Sequence, residues 1–471
     1  MEQTAAVIGS GPNGLAAAIV LAKAGLNVEV HEAAAAVGGG ARSGELTLPG
    51  FVHDLGSAVH PLAVGSPFFS KLALHAHGLN WIWSPAALAH PLDDGTTMLL
   101  ERSIEDTSQQ FAYDSASYRR MFKPLVREWG SLAEQLLGPF RLPKHPFLLA
   151  RFGRQAMQPA TYLARSSFGN PRTRAFVAGL AAHSILKLQA PLSAGFGLVM
   201  GASAHAVGWP IPAGGAQRIS DALSSLLRAL GGRIETGSRV DSLDELVGRD
   251  RILCDVTPRQ FLALAGSRLP PAFRRLLKRY QYGPGVFKVD WALREPIPWT
   301  AKDCRRAATV HLGGSLEEIE ASERAAWEGR PPHKPFVLLA QPSLFDPSRA
   351  PAGQHTAWAY CHVPNGWPNS ALAQIEAQIE RFAPGFGECI LARSSHTPQQ
   401  MQVLNENLIG GDINGGAATL KQFFLRPTWR LYGTPLDGVY LCSSSTPPGG
   451  GVHGMCGYYA AQRALANLKR K

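Results

Sequence analysis

The chain has 471 residues, which is enough for two or three domains, and 45% of them are hydrophobic while 17% are charged. This composition excludes an intrinsically disordered chain and provides the apolar side chains for a sizeable core. The formal net charge is +11, but the excess is local, because nine Lys and Arg residues and no Asp or Glu lie between Glu134 and Asp221.

A strand, a glycine turn and a helix follow one another at the start of the chain. The apolar run Thr4–Ile8 leads into Gly9, Gly11 and Gly14, and an Ala-rich stretch with helical character follows. A second strand then ends in Glu32. The first glycine permits a tight turn, the second lets the backbone approach a pyrophosphate, and the third lets the helix pack against the strands.

The helix after this turn presents backbone N–H groups and a partial positive charge to phosphates. Glu32 lies 18 residues after Gly14, close to the expected spacing of about 20, and its carboxylate would accept hydrogen bonds from a ribose. The same carboxylate repels a 2′-phosphate, which argues against NADP. We predict a dinucleotide site formed by Gly9, Gly11, Pro12, Asn13, Gly14 and Glu32. The alternative is a glycine turn that only packs.

A second glycine cluster indicates which dinucleotide is bound. Gly39 and Gly40 follow the acidic strand, and Arg42 comes shortly after them. This pattern is typical of FAD-binding chains, in which additional glycines let the backbone pass the pyrophosphate and the arginine reaches a phosphate or the ring. The alternative is a surface loop of small residues.

The chain changes character after about residue 70. Residues 81–83 and 96–100 are predicted to form a hairpin, and residues 118–137 are predicted to form one helix. We interpret the acid-free stretch that follows as a cap over an apolar substrate tunnel, with a basic face suited to peripheral contact with an anionic membrane. The alternative is a solvated helical subdomain.

The nucleotide-binding pattern then resumes and alternates with a second section. A helix is predicted over residues 219–230 and strands over 233–236 and 251–256. Residues 287–293, 336–340 and 357–360 are predicted strands, and residues 370–382 a helix. Strands interrupted by helices suggest a sheet whose face looks onto the cofactor.

A third glycine-rich loop, residues 447–455, lies between a predicted strand at 438–442 and a predicted helix at 456–468. Such a loop points backbone N–H groups and a helix dipole at whatever lies there. His453, inside the loop, is the candidate for acid–base catalysis, and the alternative is a loop histidine bonded to the backbone. His60 is a second candidate, whereas His183 and His205 are expected to be core histidines because their surroundings are apolar.

Several kinds of site are not expected. The six cysteines are scattered without CxxC spacing, so we predict neither a redox-active disulfide nor a zinc site, and no metal is expected. No apolar run of about 18 residues is present, and no cleavable signal precedes the first strand. We predict a cytoplasmic protein, soluble or peripheral at a membrane, with no nucleic-acid partner.

Four blocks of the sequence resemble the phytoene-dehydrogenase-like FAD oxidoreductases. They are the N-terminal block and residues 282–291, 410–416 and 445–455. Within that group the chain is most similar to the subgroup of pyridine nucleotide-disulfide oxidoreductase domain-containing protein 2, nearly end to end. The loop at 445–455 departs from that of carotenoid desaturases, which weakens the transfer of a carotene substrate.

The resemblance implies FAD as the cofactor and assigns further residues to it. The backbone of Val240 is expected to hold the adenine. The pyrimidine side of the flavin is expected to face the C-terminal loop. The residues of that loop assigned to the cofactor are Gly450, Gly451, Val452, Gly454 and Met455.

Together these patterns predict an α/β fold. A Rossmann-like FAD-binding domain of the glutathione-reductase type is expected from residues 1–70, 211–284 and 405–471, and a mixed-sheet substrate domain with a helical cap from 71–210 and 285–404. The predicted function is a dehydrogenase or desaturase that moves hydride from an apolar or amphipathic substrate to flavin N5, with dioxygen or a quinone as electron acceptor. Two alternatives stay open: an amine- or alcohol-oxidising flavoenzyme, and a non-enzymatic, FAD-stabilised interaction protein.

Overall fold

The computed structural model describes residues 3–468. Its strands form two large sheets and two short pairs. In chain order the strands are β1 (Thr4–Ile8), β2 (Asn27–Glu32), β3 (Ser43–Glu45), β4 (Val52–Asp54), β5 (Trp81–Ile82), β6 (Ala86–Pro91), β7 (Thr97–Glu101), β8 (Ile211–Pro212), β9 (Arg233–Thr236), β10 (Arg251–Cys254), β11 (Gly285–Leu293), β12 (Ala307–Leu312), β13 (Val337–Ala340), β14 (His355–Val363), β15 (Ile390–His396) and β16 (Val439–Leu441).

The α-helices lie between these strands and form layers on the sheets. In chain order they are α1 (Pro12–Lys23), α2 (Pro61–Val64), α3 (Ile104–Gln109), α4 (Ser115–Arg127), α5 (Trp129–Leu136), α6 (Pro146–Ala156), α7 (Ala160–Ser167), α8 (Pro171–Ala182), α9 (Ser193–Ala206), α10 (Gln217–Ala229), α11 (Pro258–Ala265), α12 (Pro271–Lys278), α13 (Leu316–Trp327), α14 (Leu372–Phe382), α15 (Phe386–Cys389), α16 (Pro398–Leu404), α17 (Leu420–Phe424) and α18 (Met455–Leu468).

The first large sheet is parallel throughout, with the strand order β16-β10-β1-β2-β9. Ala5 and Val7 of β1 belong to one core with α1 and α10, while Ala6 and Ile8 belong to a second core with α11 and α12. The strand is buried on both faces, which explains why it is continuously apolar rather than alternating. The neighbouring carboxyl ends of β1 and β10 open a crevice of the kind in which nucleotides bind.

The second large sheet is mixed, with the order β15-β11-β14-β13-β12-β6-β7. Its pairs are antiparallel except that β6 and β12 run parallel. Phe287, Val289 and Trp291 of β11 join an apolar core with α14. Because side chains alternate across a strand, Val286 and Lys288 lie on the opposite face. That face looks toward α8 and α9.

Two local predictions were wrong. Strand β5 does not pair with β7; it pairs with β8, more than 100 residues later, and the partner of β7 is β6. The helix predicted over residues 118–137 is broken at Glu128, whose φ and ψ are −102° and 19°, so that α4 and α5 are separate. The predicted division into two domains is untested, although the five strands of the parallel sheet all come from the segments assigned to the nucleotide domain.

The two ends of the described chain meet at α1 and α18. Gly457, in the first turn of α18, packs against the backbone carbonyl of Asn13, and a Cβ there would collide with that carbonyl. The N-terminal turns of the two helices therefore lie side by side. Within residues 3–468, no helix is both long and apolar enough to cross a bilayer.

Candidate functional site

The turn after β1 is fixed by a carboxylate that follows β10. Gly9 has a φ of +95°, which favours glycine. Oδ2 of the buried Asp255 accepts a hydrogen bond from the N–H of Gly14 at 2.9 Å. A Cβ on Gly11 would lie 2.7 Å from the same oxygen. The side chain of Asp255 therefore lies close to one side of the Gly11 backbone. The other side of Gly11 faces the cavity described below.

The carboxylate of Glu32, at the end of β2, is anchored by three donors. Its Oε2 accepts bonds from the backbone N–H and the hydroxyl of Ser10 at 2.8 and 2.6 Å, and its Oε1 accepts from the N–H of Ala34 at 2.8 Å. A carboxylate has further acceptor sites. Glu32 can therefore stay in this position while it accepts hydrogen bonds from a ribose.

The second glycine cluster lies against the first. A Cβ on Gly39, whose φ is +53°, would come within 3.1 Å of the Cα of Gly11. Nε of Arg42 donates to the carbonyl of Gly39 at 3.0 Å, and its terminal nitrogen donates to the carbonyl of Leu404. Burial lowers the pKa of Arg42, against the opposing effect of Glu32. Arg42 thus ties this cluster to the end of α16.

These loops surround one end of a cavity of about 680 Å³. Most of the residues predicted to bind the cofactor line it, but Gly14, Gly454 and Met455 do not. Gly454 packs against Phe69, and Met455 is buried. The predicted residues that line the cavity are Gly9, Gly11, Pro12, Asn13, Glu32, Gly39, Gly40, Arg42, Val240, Gly450, Gly451 and Val452.

His453 is buried behind the C-terminal glycine loop and is not among the residues that line the cavity. Its Nδ1 accepts a bond from the N–H of Met455 at 3.0 Å, and its carbonyl accepts one from the hydroxyl of Ser66 at 2.7 Å. Burial lowers the pKa of His453 to about 4. The ring is therefore neutral and supports the loop from behind. Its predicted catalytic role is untested, and these contacts fit the alternative of a loop histidine bonded to the backbone.

The other end of the cavity lies between α8, α9 and the mixed sheet. Its apolar walls are Ile185, Phe196, Met200, Trp209 and Leu338. The sheet contributes Lys288, Thr309, Trp358 and Tyr360. The register places Lys288 of β11 opposite Tyr360 of β14, so both side chains project from the same face of the sheet.

A buried charge cluster underlies this end. Lys288 is 2% exposed and pairs with Asp290, which is fully buried. Asp290 also lies 3.6 Å from Nδ1 of His53, and nearby Arg349 pairs with Asp54 at 2.6 Å. Burial lowers the pKa of Lys288 and raises that of Asp290 to about 6. Each charge here depends on its partner, because an isolated buried charge is strongly disfavoured.

Asp255 and Lys288 were not predicted from the sequence as residues of the site. Lys288 and Asp290 are charged residues at alternate positions of an otherwise apolar strand. This pattern could have indicated a buried charged pair. Of the histidines, His60 lines the cavity, and so does His183, which was expected in the core. His205 lies in the core as expected, with its Nε2 2.8 Å from the hydroxyl of Tyr118.

The residues at the first end fit a dinucleotide. A Cβ on Gly39 would be tightly confined by the backbone of Gly11, and a Cβ on Gly11 would collide with the carboxyl group of Asp255. Within the described residues, Oδ1 of Asn13, Oγ of Ser57 and Nε2 of His60 are buried without hydrogen-bond partners, and all three residues line the cavity. Buried polar atoms are normally satisfied, and a bound cofactor can supply their partners.

Asp255 makes this end sensitive to pH. Burial raises the pKa of Asp255 to about 7, against the opposing effect of its bond from Gly14, and nearby Glu32 raises it further. The folded protein therefore holds a proton that the unfolded chain releases near pH 4. The stabilisation that this proton provides is complete below about pH 4 and is lost as pH rises toward 7.

We expect the substitution Asp255→Asn to remove this dependence while keeping an acceptor for Gly14. The wild type should lose stability between pH 5 and pH 8, whereas the variant should not. The difference in the free energy of unfolding, variant minus wild type, should therefore increase by on the order of 3 kcal/mol over this range. Urea titrations of the apoprotein at both pH values measure it. The comparison at pH 5 is the control, since both side chains are then neutral. If the difference in free energy of unfolding between variant and wild type were the same at pH 5 and pH 8, Asp255 would already be ionised at pH 5.

Comparisons with known proteins agree with this architecture. Residues 7–71 match the family described as an NAD(P)-binding Rossmann-like domain. The chain is 28% identical to pyridine nucleotide-disulfide oxidoreductase domain-containing protein 2 from Rattus norvegicus, over 99% of this chain and 94% of that protein. It is 26% identical to phytoene dehydrogenase from Streptomyces griseus, over 83% and 81% of the two chains.

The fold of the chain is also similar to that of a solved structure. An oxidoreductase from Methanosarcina mazei has a TM-score of 0.67 and 17% identity, over 98% of this chain and 100% of that one. The predicted fold class and the resemblance stated from the sequence are confirmed. Within the described residues all six cysteines are buried and free, although the rat relative is named for a disulfide oxidoreductase.

Proposed function

We infer that the chain is an FAD-dependent oxidoreductase, and we propose that it moves hydride from an apolar or amphipathic substrate to flavin N5. One observation carries the proposal: a single cavity has nucleotide-binding loops at one end and apolar walls at the other. Bound FAD supplies the hydride-accepting ring. The chain supplies binding, orientation and the exclusion of water.

In this proposal the two glycine clusters and the N-terminus of α1 hold the pyrophosphate, because backbone N–H groups and the helix dipole favour negative charge there. Glu32 accepts hydrogen bonds from the ribose, and the backbone of Val240 holds the adenine. The C-terminal loop at residues 450–452 lies against the ring. Dioxygen or a quinone is the proposed electron acceptor.

At the inner end, apolar side chains exclude water and present a C–H bond rather than a charged group to the cofactor. A properly positioned reactant needs little further assistance from the protein. Lys288 pairs with Asp290, but an ammonium group has three donors. It can therefore donate a further hydrogen bond into the cavity, to a water molecule or to a polar group of the substrate.

The proposal is tested on the purified protein by its visible spectrum, by chromatography of the released cofactor, and by anaerobic titration with candidate donors. We expect flavin bands, FAD, and bleaching by a long-chain alcohol or a polyene. A colourless protein that binds only NAD would overturn the assignment. FAD that no donor reduces would instead support the non-enzymatic alternative.

An amine-oxidising flavoenzyme is the second candidate. Trp358 and Tyr360 line the cavity with ring centroids 5.1 Å apart and planes at 76°. Aromatic faces attract cations, so a protonated amine could bind beside them. The ammonium group of Lys288 already lies 5.9 Å from the centre of the Trp358 ring, so a second cation would compete with it for that ring. Anaerobic reduction by small amines, with release of peroxide in air, would favour this candidate over the first.

A surface patch supports the proposed peripheral contact with a membrane. We define the aromatic patch as Phe140, Leu142, Phe147, Phe423, Phe424 and Trp429, which are all exposed. Phe140 and Phe424 come from distant segments, yet their rings meet edge to face at 5.7 Å. Phe147 is 89% exposed. Exposed apolar patches of this kind usually mark a surface that contacts another protein or a membrane.

The two segments that carry the aromatic patch contain basic residues and no acidic ones. Both of its segments are free of acidic residues, from 135 to 220 and from 413 to 436, and basic residues such as Arg141, Lys144 and Lys421 are interspersed. Lys144 contacts Glu134, which lies just before the first segment, at 3.4 Å. The complementary partner for the aromatic patch is therefore an anionic lipid surface.

The aromatic patch is also connected to the cavity. Arg426, between Phe424 and Trp429, donates to the carbonyls of Asn414 and Ser444, and both of these residues line the cavity. A lipid surface at the aromatic patch would thus lie near a wall of the site. We propose that an apolar substrate enters from this surface.

We expect the double substitution Phe140→Ser and Phe424→Ser to weaken binding to vesicles that contain phosphatidylglycerol by tenfold or more, since burying each aromatic side chain contributes about 1.5–3 kcal/mol. Cosedimentation measures the binding, and Val247→Ser, at a 76% exposed position outside the patch, is the control. Equal binding by both variants would contradict the proposal. A wild-type dimer that the double substitution dissociates would assign the patch to a second copy of the chain.

A further inference from the structure

A buried hydroxyl lies without a partner at the inner end of the cavity. Thr309 of β12 is 5% exposed and lines the cavity, and within the described residues its Oγ1 has no hydrogen-bond partner. An unsatisfied buried polar group costs about 1–3 kcal/mol. The walls around it are largely apolar. A ligand atom that bonds to this hydroxyl would recover that free energy.

His183, at the end of α8, brings a second polar atom to the same place. Its Nε2 lies 3.0 Å from Nε2 of His311, and its ring packs edge-on against Trp209 with centroids 5.5 Å apart. His311 is two residues from Thr309 on the same face of β12, and Thr309 and His183 both line the cavity. Because Nε2 is used by His311, Nδ1 is the nitrogen that a ligand in the cavity can reach.

Three histidines of this region, His90, His183 and His311, are neutral. Burial lowers the pKa of His183 to about 3 and that of His90 to about 4, and it lowers the pKa of His311 well below the usual range. His90 donates through Nε2 to the carbonyl of Gly314 at 2.9 Å, which fixes its tautomer. Neutral imidazoles offer hydrogen bonds but no compensating charge.

Neutral partners select against ionised ligands. A carboxylate or ammonium group placed here would be desolvated without a counterion, which is strongly unfavourable. The charge of Lys288 does not serve this purpose, because Asp290 already pairs with it. A hydroxyl or carbonyl oxygen loses much less on burial and can form hydrogen bonds with neutral groups such as Thr309 and His183.

We propose that Thr309 and His183 form a polar subsite that binds an uncharged oxygen, a hydroxyl or a carbonyl, on an otherwise apolar substrate. The inference rests on the proposed function and narrows its substrate class to apolar alcohols and their carbonyl counterparts. A pure hydrocarbon would leave the hydroxyl of Thr309 unsatisfied, and a fatty acid anion or an alkylamine would bring an uncompensated charge.

The test uses anaerobic calorimetric titration of the FAD-loaded protein with 1-octanol, octanoate and octylamine. The flavin is reduced with dithionite beforehand, so that it cannot accept hydride and binding is measured without turnover. We expect 1-octanol to bind most tightly, and Thr309→Val to weaken its binding about tenfold, the effect of losing one hydrogen bond. Thr309→Ser retains the hydroxyl and should bind like wild type. Thr309→Val should also remain folded, because it removes an unsatisfied polar atom without changing the shape of the side chain.

Thr356→Val is the matched control, because Thr356 is also a buried strand residue with an unpartnered Oγ1 but does not line the cavity. Octanoate or octylamine binding as tightly as 1-octanol would overturn the subsite, and so would a Thr309→Val protein with unchanged affinity for 1-octanol. The outcome is distinct from that of the function test: a protein that binds 1-octanol through Thr309, but whose FAD no donor reduces, keeps the subsite and loses the oxidoreductase activity.

Discussion

Replacing Gly11 with leucine should leave the chain folded but unable to retain FAD. The φ of Gly11 is −64° and its ψ is 169°, a conformation that any residue adopts, so the backbone itself tolerates a side chain. The side chain has no room. On one side its Cβ would lie 2.7 Å from Oδ2 of Asp255, and on the other side it would fill the space proposed for the pyrophosphate.

We expect the affinity of the Gly11→Leu protein for FAD to fall at least about 100-fold, which corresponds to roughly 2.7 kcal/mol. Quenching of flavin fluorescence on titration of the apoprotein measures the dissociation constant, and circular dichroism checks the fold. Gly130→Leu is the control, because Gly130 is an exposed helical residue and a Cβ added to it would have no neighbour within 4 Å. Full occupancy of the Gly11→Leu protein by FAD would place the cofactor site elsewhere.

The second large effect is expected at Lys288. The single substitution Lys288→Met leaves Asp290 fully buried without its partner, and the loss of one member of a buried ion pair destabilises a protein by about 3–5 kcal/mol. The double substitution Lys288→Met and Asp290→Asn removes both charges. It should recover most of the lost stability, because no uncompensated charge is left in the core.

These variants separate two roles of Lys288. If the ammonium group donates a hydrogen bond into the cavity, the anaerobic rate of flavin reduction should stay about 100-fold lower in the double variant, even though its stability is recovered. Urea titration at pH 8 and stopped-flow absorbance measure the two quantities, with the substitution Lys302→Met at an exposed position as control. Recovery of the rate together with the stability would limit Lys288 to a structural role.

The features that could be predicted from the sequence are local ones. The turn at Gly9–Gly14, the acid at Glu32 and the glycine loop before α18 are each set by a few consecutive residues whose chemistry depends little on the rest of the chain. Most of the residues predicted from these segments accordingly line the cavity, and their binding of a cofactor stays a prediction. Asp255 was overlooked because its role depends on β10 lying beside β1, a pairing between segments about 250 residues apart.

The features that could not be predicted depend on distant contacts. Strand β5 pairs with β8 rather than within a hairpin, and nothing near residue 81 indicates that partner. The break between α4 and α5 falls at Glu128, between Pro124 and Gly130. Both residues disfavour a helix interior, but the apolar periodicity runs through them and conceals the break. His183 lies in an apolar stretch that fits the core equally well, and only the approach of α8 to β12 brings it to the cavity.

The contact between α1 and α18 bears on how the protein is made. The βαβ unit at residues 4–32 is synthesised early, but β10, β16 and α18 leave the ribosome much later, and α18 is the last described helix. Until then the nascent chain lacks Asp255 and the C-terminal loop that complete the cavity. Incorporation of FAD is therefore expected to be a late step of biogenesis, and ribosome-bound chains that end before residue 450 should not retain the cofactor.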